Sequence, residues 1–163
     1  MFLTESELKA PTHCITNALK SVHKQDFLHN DLQPCNIFMH HSKADNFTYV
    51  KLSGFSKCQP IDTEHLDFLN PSYELEGQNI LIKAPEVLVS GGKQTSTSSD
   101  VWSLGVMVYA LGCGRLPFKT VGAILETPLS WSAYETAGIK ASMSFKSLIT
   151  AMLHKNAKHR PRV

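Results

Sequence analysis

No C-x-x-C pair occurs in this sequence: Cys14, Cys35, Cys58 and Cys113 are widely and irregularly spaced. That excludes the usual zinc-ribbon and dithiol redox frameworks, and the four read as free thiols, mostly buried. No apolar run approaches the roughly 20 residues that cross a bilayer. The start "MFLTESELKA" lacks the basic stretch and long apolar segment of a secretory signal, so the expected address is cytoplasmic or nuclear. An excess of one charge is missing too. The formal net charge is +2, with acids and bases mixed along the chain, and neither a nucleic acid nor a membrane partner is expected. None of the eight histidines forms an H-x-x-x-H pair on a helical face, so they read as solvated or packing residues rather than metal ligands. There is no internal repeat.

What is present is an ordinary balance for one packed domain: 163 residues, 42% hydrophobic and 18% charged. "TESE" at residues 4 to 7 fits a capping box, with Thr4 at the N-cap and Glu7 three positions on. Pro11 either stops that helix or opens the next. The following stretch carries Ile15, Ala18, Leu19 and Val22 on one stripe. "NIFMH" and "FTYVKLS" flank the turn-forming "HSKADN" and read as a small hairpin. From Ser56 to about Ile82 the pattern is that of one long loop, in which Thr63, Ser72 and Tyr73 read as exposed, unmodified residues. "SSDVWSLGVMVYALGCG" is apolar nearly all round. It predicts a buried central helix capped by Ser98, Ser99 or Asp100 and closed by Gly112 and Gly114. "LPFKTVGAILETP" turns into another helix, and "SFKSLITAMLHKN" places Phe145, Leu148, Ile149, Met152 and Leu153 on one stripe.

The order of short motifs says more than any one of them. "HNDLQPCN", a hairpin, "KLSGFS", a long loop, "KAPEV", "DVWSLGV", "GRLPF" and "HRPRV" follow one another over residues 13 to 163. This order resembles the C-terminal lobe of a eukaryotic protein kinase. The loop is similar to H-R-D-L-K-P-x-N, "GFS" sits where D-F-G belongs, and "KAPEV" is similar to A-P-E. The resemblance implies a mainly α fold: a helical bundle around a buried central helix, with a small β-hairpin next to the catalytic loop. It also implies one partial kinase-like domain over 1–163, a C-lobe without its N-lobe. No G-x-G-x-x-G and no V-A-I-K occurs. The run Asp31, Leu32, Gln33, Pro34, Asn36 is closer to the serine/threonine type of loop than to the tyrosine type.

Phosphoryl transfer needs a base or orienter for the hydroxyl, metal ligands and cations. By the resemblance, Asp31 stands at the base position and Asn36 at a metal-ligand position. Asn30 replaces an arginine, and Gln33 replaces the lysine that steadies the transferred phosphate, so the loop has lost both of its cations. Gly54 stands where an aspartate would hold magnesium, and glycine offers no ligand. Phe38 falls at the floor of the adenine pocket, where its ring would partly fill the space. Glu86 and Arg160 match a buried ion pair, and Asp100 an aspartate that accepts backbone N–H groups from the catalytic loop. Parts that handle phosphate have changed and parts that hold the lobe together have stayed.

The resemblance therefore implies a catalytically inactive pseudokinase acting as a binding or scaffolding module. The alternatives are the C-terminal part of a longer, weakly active ATP-dependent kinase, and a non-functional truncated product. No cofactor is expected for this chain, with ATP and Mg entering only if an N-lobe is supplied and the site tolerates Gly54. A protein partner is expected, and the exposed surface that would face an N-lobe should promote association.

Overall fold

The computed structural model describes residues 3–45, 47–61 and 78–163, with the side chains of residues 47, 48, 78 and 79 left out. Thr63, Ser72 and Tyr73 lie outside the described residues.

Helix α1 (Glu5–His23) begins at a capping box: Glu7 N–H donates to Thr4 Oγ1 at 3.3 Å and Thr4 N–H to Glu7 Oε2 at 2.8 Å. Pro11 neither stops this helix nor opens another; the helix runs straight through it. An interior proline costs on the order of 3 kcal/mol. The cap, and the burial of Leu8, Ile15 and Leu19 at helical spacing, outweigh that cost. Each fully buried leucine contributes about 2 kcal/mol.

After a turn at Asp26 come strand β1 (Phe27–Leu28), the catalytic-type loop, and an antiparallel hairpin of β2 (Ile37–Ser42) and β3 (Phe47–Leu52) in register from Ile37↔Leu52 to Ser42↔Phe47. The segment read as one loop from Ser56 is more structured than its polarity suggests. A 3-10 turn over Phe55–Lys57 leads into β4 (Gln59–Pro60), which pairs with β1, and a second 3-10 turn covers Gln78–Ile82. A two-residue ladder has too few residues to leave a periodic signature, so neither β1 nor β4 is visible in the sequence pattern.

Helix α2 (Pro85–Val89) leads to α3 (Thr97–Cys113), the buried centre of the fold. Its N-cap is Ser96, earlier than any of the three residues expected. Ser99 turns its hydroxyl back onto Ser96, accepting from Ser96 N–H at 2.9 Å and donating to Ser96 O at 2.7 Å. Gly114 ends the helix in the left-handed conformation at φ 68°. Helices α4 (Val121–Glu126), α5 (Ser132–Thr136) and α6 (Met143–Met152) complete the bundle. α1 and α6 pack on α3 through Leu8, Ile15 and Leu19 on one side and Phe145, Ile149 and Met152 on the other. Leu148, expected on the buried stripe of α6, is 47% exposed, because α6 packs on α3 through a narrower face. All four cysteines are free, but only Cys113 is buried; Cys14 and Cys58 are half-buried and Cys35 is exposed. Among the described residues, no helix is long and apolar enough to cross a membrane.

Candidate functional site

Asp100, in the first turn of buried α3, organises the loop from below. Its Oδ2 accepts from the backbone N–H of His29 and its Oδ1 from that of Asn30, both at 2.9 Å. His23, at the end of α1, adds its Nε2 at 2.9 Å from Oδ2. Two consecutive amides held by one buried carboxylate define the path of the loop. Asn30 completes the bend at φ 61°, a left-handed conformation that asparagine tolerates better than most residues.

His29 ties the loop to the end of the hairpin. Asp31 N–H donates to His29 Nδ1 at 3.2 Å, so the ring proton sits on Nε2 and donates to Ser53 O at 2.8 Å. The ring also meets Phe55 edge-on, with centroids 5.0 Å apart. Pro34 and Cys35 turn the chain through a short 3-10 element that presents Asn36 to Asp31.

Both oxygens of the Asp31 carboxylate are engaged. Oδ2 accepts from Gln33 Nε2 and from Asn36 Nδ2, each at 2.9 Å, and Asn36 Nδ2 also donates to Asp31 O at 2.7 Å. Oδ1 accepts from Lys57 Nζ at 3.1 Å. Burial alone would push this carboxyl up. The bonds from Lys57 and Asn36, the charge of Lys57 and the bond from Gln33 together outweigh it and hold the group below its ordinary value of 3.8.

Gly54 adopts φ 79° and lies against Asn36. A Cβ at position 54 would collide with Asn36 Cγ, Nδ2 and Oδ1, so the Asn36 amide lies in the space that a side chain at 54 would need. Phe38 stands on β2, 61% exposed, on the same hairpin face as exposed Tyr49, while exposed Met39 points to the opposite face. Far below the loop, Arg160 and Glu86 form an ion pair at 2.7 Å, joining the residues after α6 to α2.

Sequence reasoning missed two lysines. The loop carries no cation of its own, yet Lys57 reaches Asp31, and Lys83 Nζ donates to Asn30 O at 2.7 Å. Lys83 is half-buried; burial lowers its ammonium, with the nearby Asp31 opposing and Lys57 reinforcing that shift. The only available signal was position: Lys57 directly follows "GFS" and Lys83 directly precedes "APE". His23 and His29, expected from the sequence to be solvated or packing residues, both bond directly to this network. Among the described residues, no cluster of three or more His, Cys, Asp or Glu side chains is placed to hold a metal ion.

The sequence and the fold are matched in known proteins. A family model described as protein kinase domain matches residues 1–163. The calcium and calcium/calmodulin-dependent serine/threonine-protein kinase of Lotus japonicus is 32% identical over 161 residues, covering 96% of this chain and 29% of that protein. The maternal embryonic leucine zipper kinase of Xenopus laevis is 33% identical over 122 residues, covering 71% of this chain and 16% of that one. The chain thus spans less than a third of either relative. The crystal structure of the Rad53 kinase domain and SCD2 in complex with AMPPNP shares the fold, with a TM-score of 0.75 at 21% identity over 99% of this chain and 56% of that one. A match along the whole sequence and a shared fold lead to one conclusion: this chain belongs to the eukaryotic protein kinase superfamily and is of the serine/threonine-like type.

Proposed function

We propose that this chain is a pseudokinase module, a serine/threonine-kinase-like lobe that binds or scaffolds a protein partner and transfers no phosphate. The observation that carries this reading is the state of Asp31. A general base must present a free lone pair to the hydroxyl it orients. Here Lys57, Gln33 and Asn36 bond both carboxylate oxygens and leave only one acceptor position on Oδ1, beside the Lys57 ammonium, and the group is held more acidic than an ordinary carboxyl, which weakens it as a base.

The residues present do not fit the magnesium that the family implies. Magnesium demands hard oxygen ligands in near-octahedral geometry. Position 54 supplies none, and the Asn36 amide is turned onto Asp31 through its nitrogen. The partner surface that suits this reading is the hairpin face that carries exposed Phe38 and, diagonally across the register, exposed Tyr49.

Transfer of radiolabelled phosphate from ATP, measured on the chain with Asp31→Asn as control, tests the proposal. Background counts equal in both are expected. Turnover that depends on Asp31 would overturn it.

Asp31 remains anchored in its loop by Asp100 and His29, which favours a second reading: the C-terminal part of a longer, weakly active ATP-dependent kinase. That reading requires Mg-ATP to raise the melting temperature of the longest natural form of the protein.

A further inference from the structure

The three substitutions that look like losses in the sequence act together in space. Asn30, in place of an arginine, donates its Nδ2 to Lys57 O at 3.3 Å and so fixes the backbone of the turn that carries Lys57. Gly54, in place of an aspartate, leaves room for the Asn36 amide and bends the chain at φ 79°, immediately ahead of the 3-10 turn Phe55–Lys57. Gln33, in place of a lysine, donates to Asp31 from the side opposite Lys57. The outcome is an ammonium 3.1 Å from Asp31 Oδ1, its side chain 40% exposed at the mouth of the site and the carboxylate 10% exposed beneath it.

The geometry points to Lys57 as the resident cation of this loop: its ammonium balances the Asp31 carboxylate and, with the Asn36 amide, closes the site to divalent ions. The two occupants block in different ways, Asn36 by volume and Lys57 by charge, and an aspartate introduced at 54 displaces only the first. Asn36 fills the volume a ligand side chain at 54 would need, and leaving it breaks two hydrogen bonds to Asp31. Lys57 holds the one carboxylate oxygen that Asn36 and Gln33 do not. A divalent ion approaching Asp31 therefore meets a fixed positive charge at contact distance, and like charges that close repel strongly where water is partly excluded. Restoring the missing carboxylate alone does not reopen the site. Asn30 is a positioning residue here, acting on the ammonium through the Lys57 backbone. This inference concerns what occupies the site, and it stands or falls separately from whether phosphate is transferred.

Manganese is the probe, because it takes the same oxygen ligands as magnesium and its binding is read directly by the loss of the free-ion EPR signal. Wild-type chain and Gly54→Asp are both expected to leave the signal of the free ion unchanged. The double variant Gly54→Asp with Lys57→Met is expected to bind at least about tenfold more tightly than Gly54→Asp alone. Manganese binding at the wild-type loop, seen as paramagnetic broadening of Asp31 and Asn36, would overturn the inference, as would equal affinity in the single and double variants. A second measurement avoids any folding defect introduced at position 54. Lys57→Met in the otherwise wild-type chain should let manganese broaden the Asp31 resonances at concentrations that leave the parent sharp; equal broadening in the two sinks the proposal. Phosphate transfer by a wild-type chain that still binds no manganese would defeat the pseudokinase reading and leave this one standing.

Discussion

Arg160 grips both carboxylate oxygens of Glu86 with parallel bonds, Nη1 to Oε1 at 2.7 Å and Nη2 to Oε2 at 2.8 Å. The remaining N–H groups are also used: Nη1 donates to Ser98 O, Nη2 to Lys155 O and Nε to His154 O. One fully buried guanidinium thus joins α2, the start of α3 and the turn after α6, while lying over the Trp102 ring at 4.9 Å. Replacing it leaves a carboxylate and three carbonyls without their donor. Arg160→Met is expected to lower stability by about 3 kcal/mol in urea unfolding. Arg160→Lys should recover only part of that, since an ammonium has three donors and no planar fork.

Asp100 carries a different kind of load. Its oxygens accept from His29 N–H, Asn30 N–H and the His23 ring, so every lone pair in use points at the loop or at the end of α1. Asp100→Asn keeps the size and turns an NH2 toward at least one of those donors. The expected cost is about 1 to 3 kcal/mol. The discriminating measurement is amide hydrogen exchange: His29 and Asn30 should exchange faster than in the parent, while amides at the centre of α3 change only with global stability.

Gly112 is required by a close approach. It lies inside α3, where a Cβ would collide with the hydroxyl of Tyr134 and come within 2.8 Å of its Cζ. Tyr134 crosses the helix there to donate its hydroxyl to Tyr109 O at 3.0 Å. Gly112→Ala gains helix propensity worth about 1 kcal/mol. It also forces the ring outward, and overpacking of that kind costs about 1 to 3 kcal/mol. A net loss of stability is expected. The double variant with Tyr134→Phe should lose less than the sum of the two single changes, because removing the hydroxyl removes the worst contact.

How much of this could be read from the chain differs from residue to residue. The central helix was legible because burial on all sides leaves an unbroken apolar run, and the hairpin because two β-type runs flank a polar turn. Helix α1 was only half legible: a proline inside a helix is a local signal to stop, and the burial of Leu8, Ile15 and Leu19 that overrides it is tertiary. The loop was located through the order of its motifs, and its losses at Asn30, Gln33 and Gly54 were visible. What filled those losses was not. Lys57 lies 26 residues from Asp31, and Lys83 lies 53 from Asn30. No spacing rule links them, because their meeting depends on the bend at Gly54 and on the path from the second 3-10 turn into α2.

Lys155 offers a pH-dependent test of the packing beneath the site. Its ammonium donates to Ile124 O at 2.6 Å and Ala123 O at 3.3 Å near the end of α4, and lies 3.8 Å from the centroid of Phe118. Burial first, and the neighbouring Arg160 second, push it down to about 8 from an ordinary 10.5. Below about 8 the folded and unfolded chains both hold the proton, and the cost of keeping a charge here is constant. Between about 8 and 10.5 the unfolded chain still holds a proton that the folded chain has released, so stability should rise with pH across that window. Ordinary tyrosine and cysteine side chains of an unfolded chain titrate in the same range, so the informative quantity is the difference between the parent and Lys155→Met at each pH, obtained from denaturant unfolding. That difference should shift in favour of the parent as pH rises through the window. NMR titration of the Lys155 ε-methylene should show a midpoint near 8. A midpoint near 10.5 would mean that the carbonyls of α4 and the Phe118 ring hold the charge as well as water does, so that these contacts outweigh the desolvation.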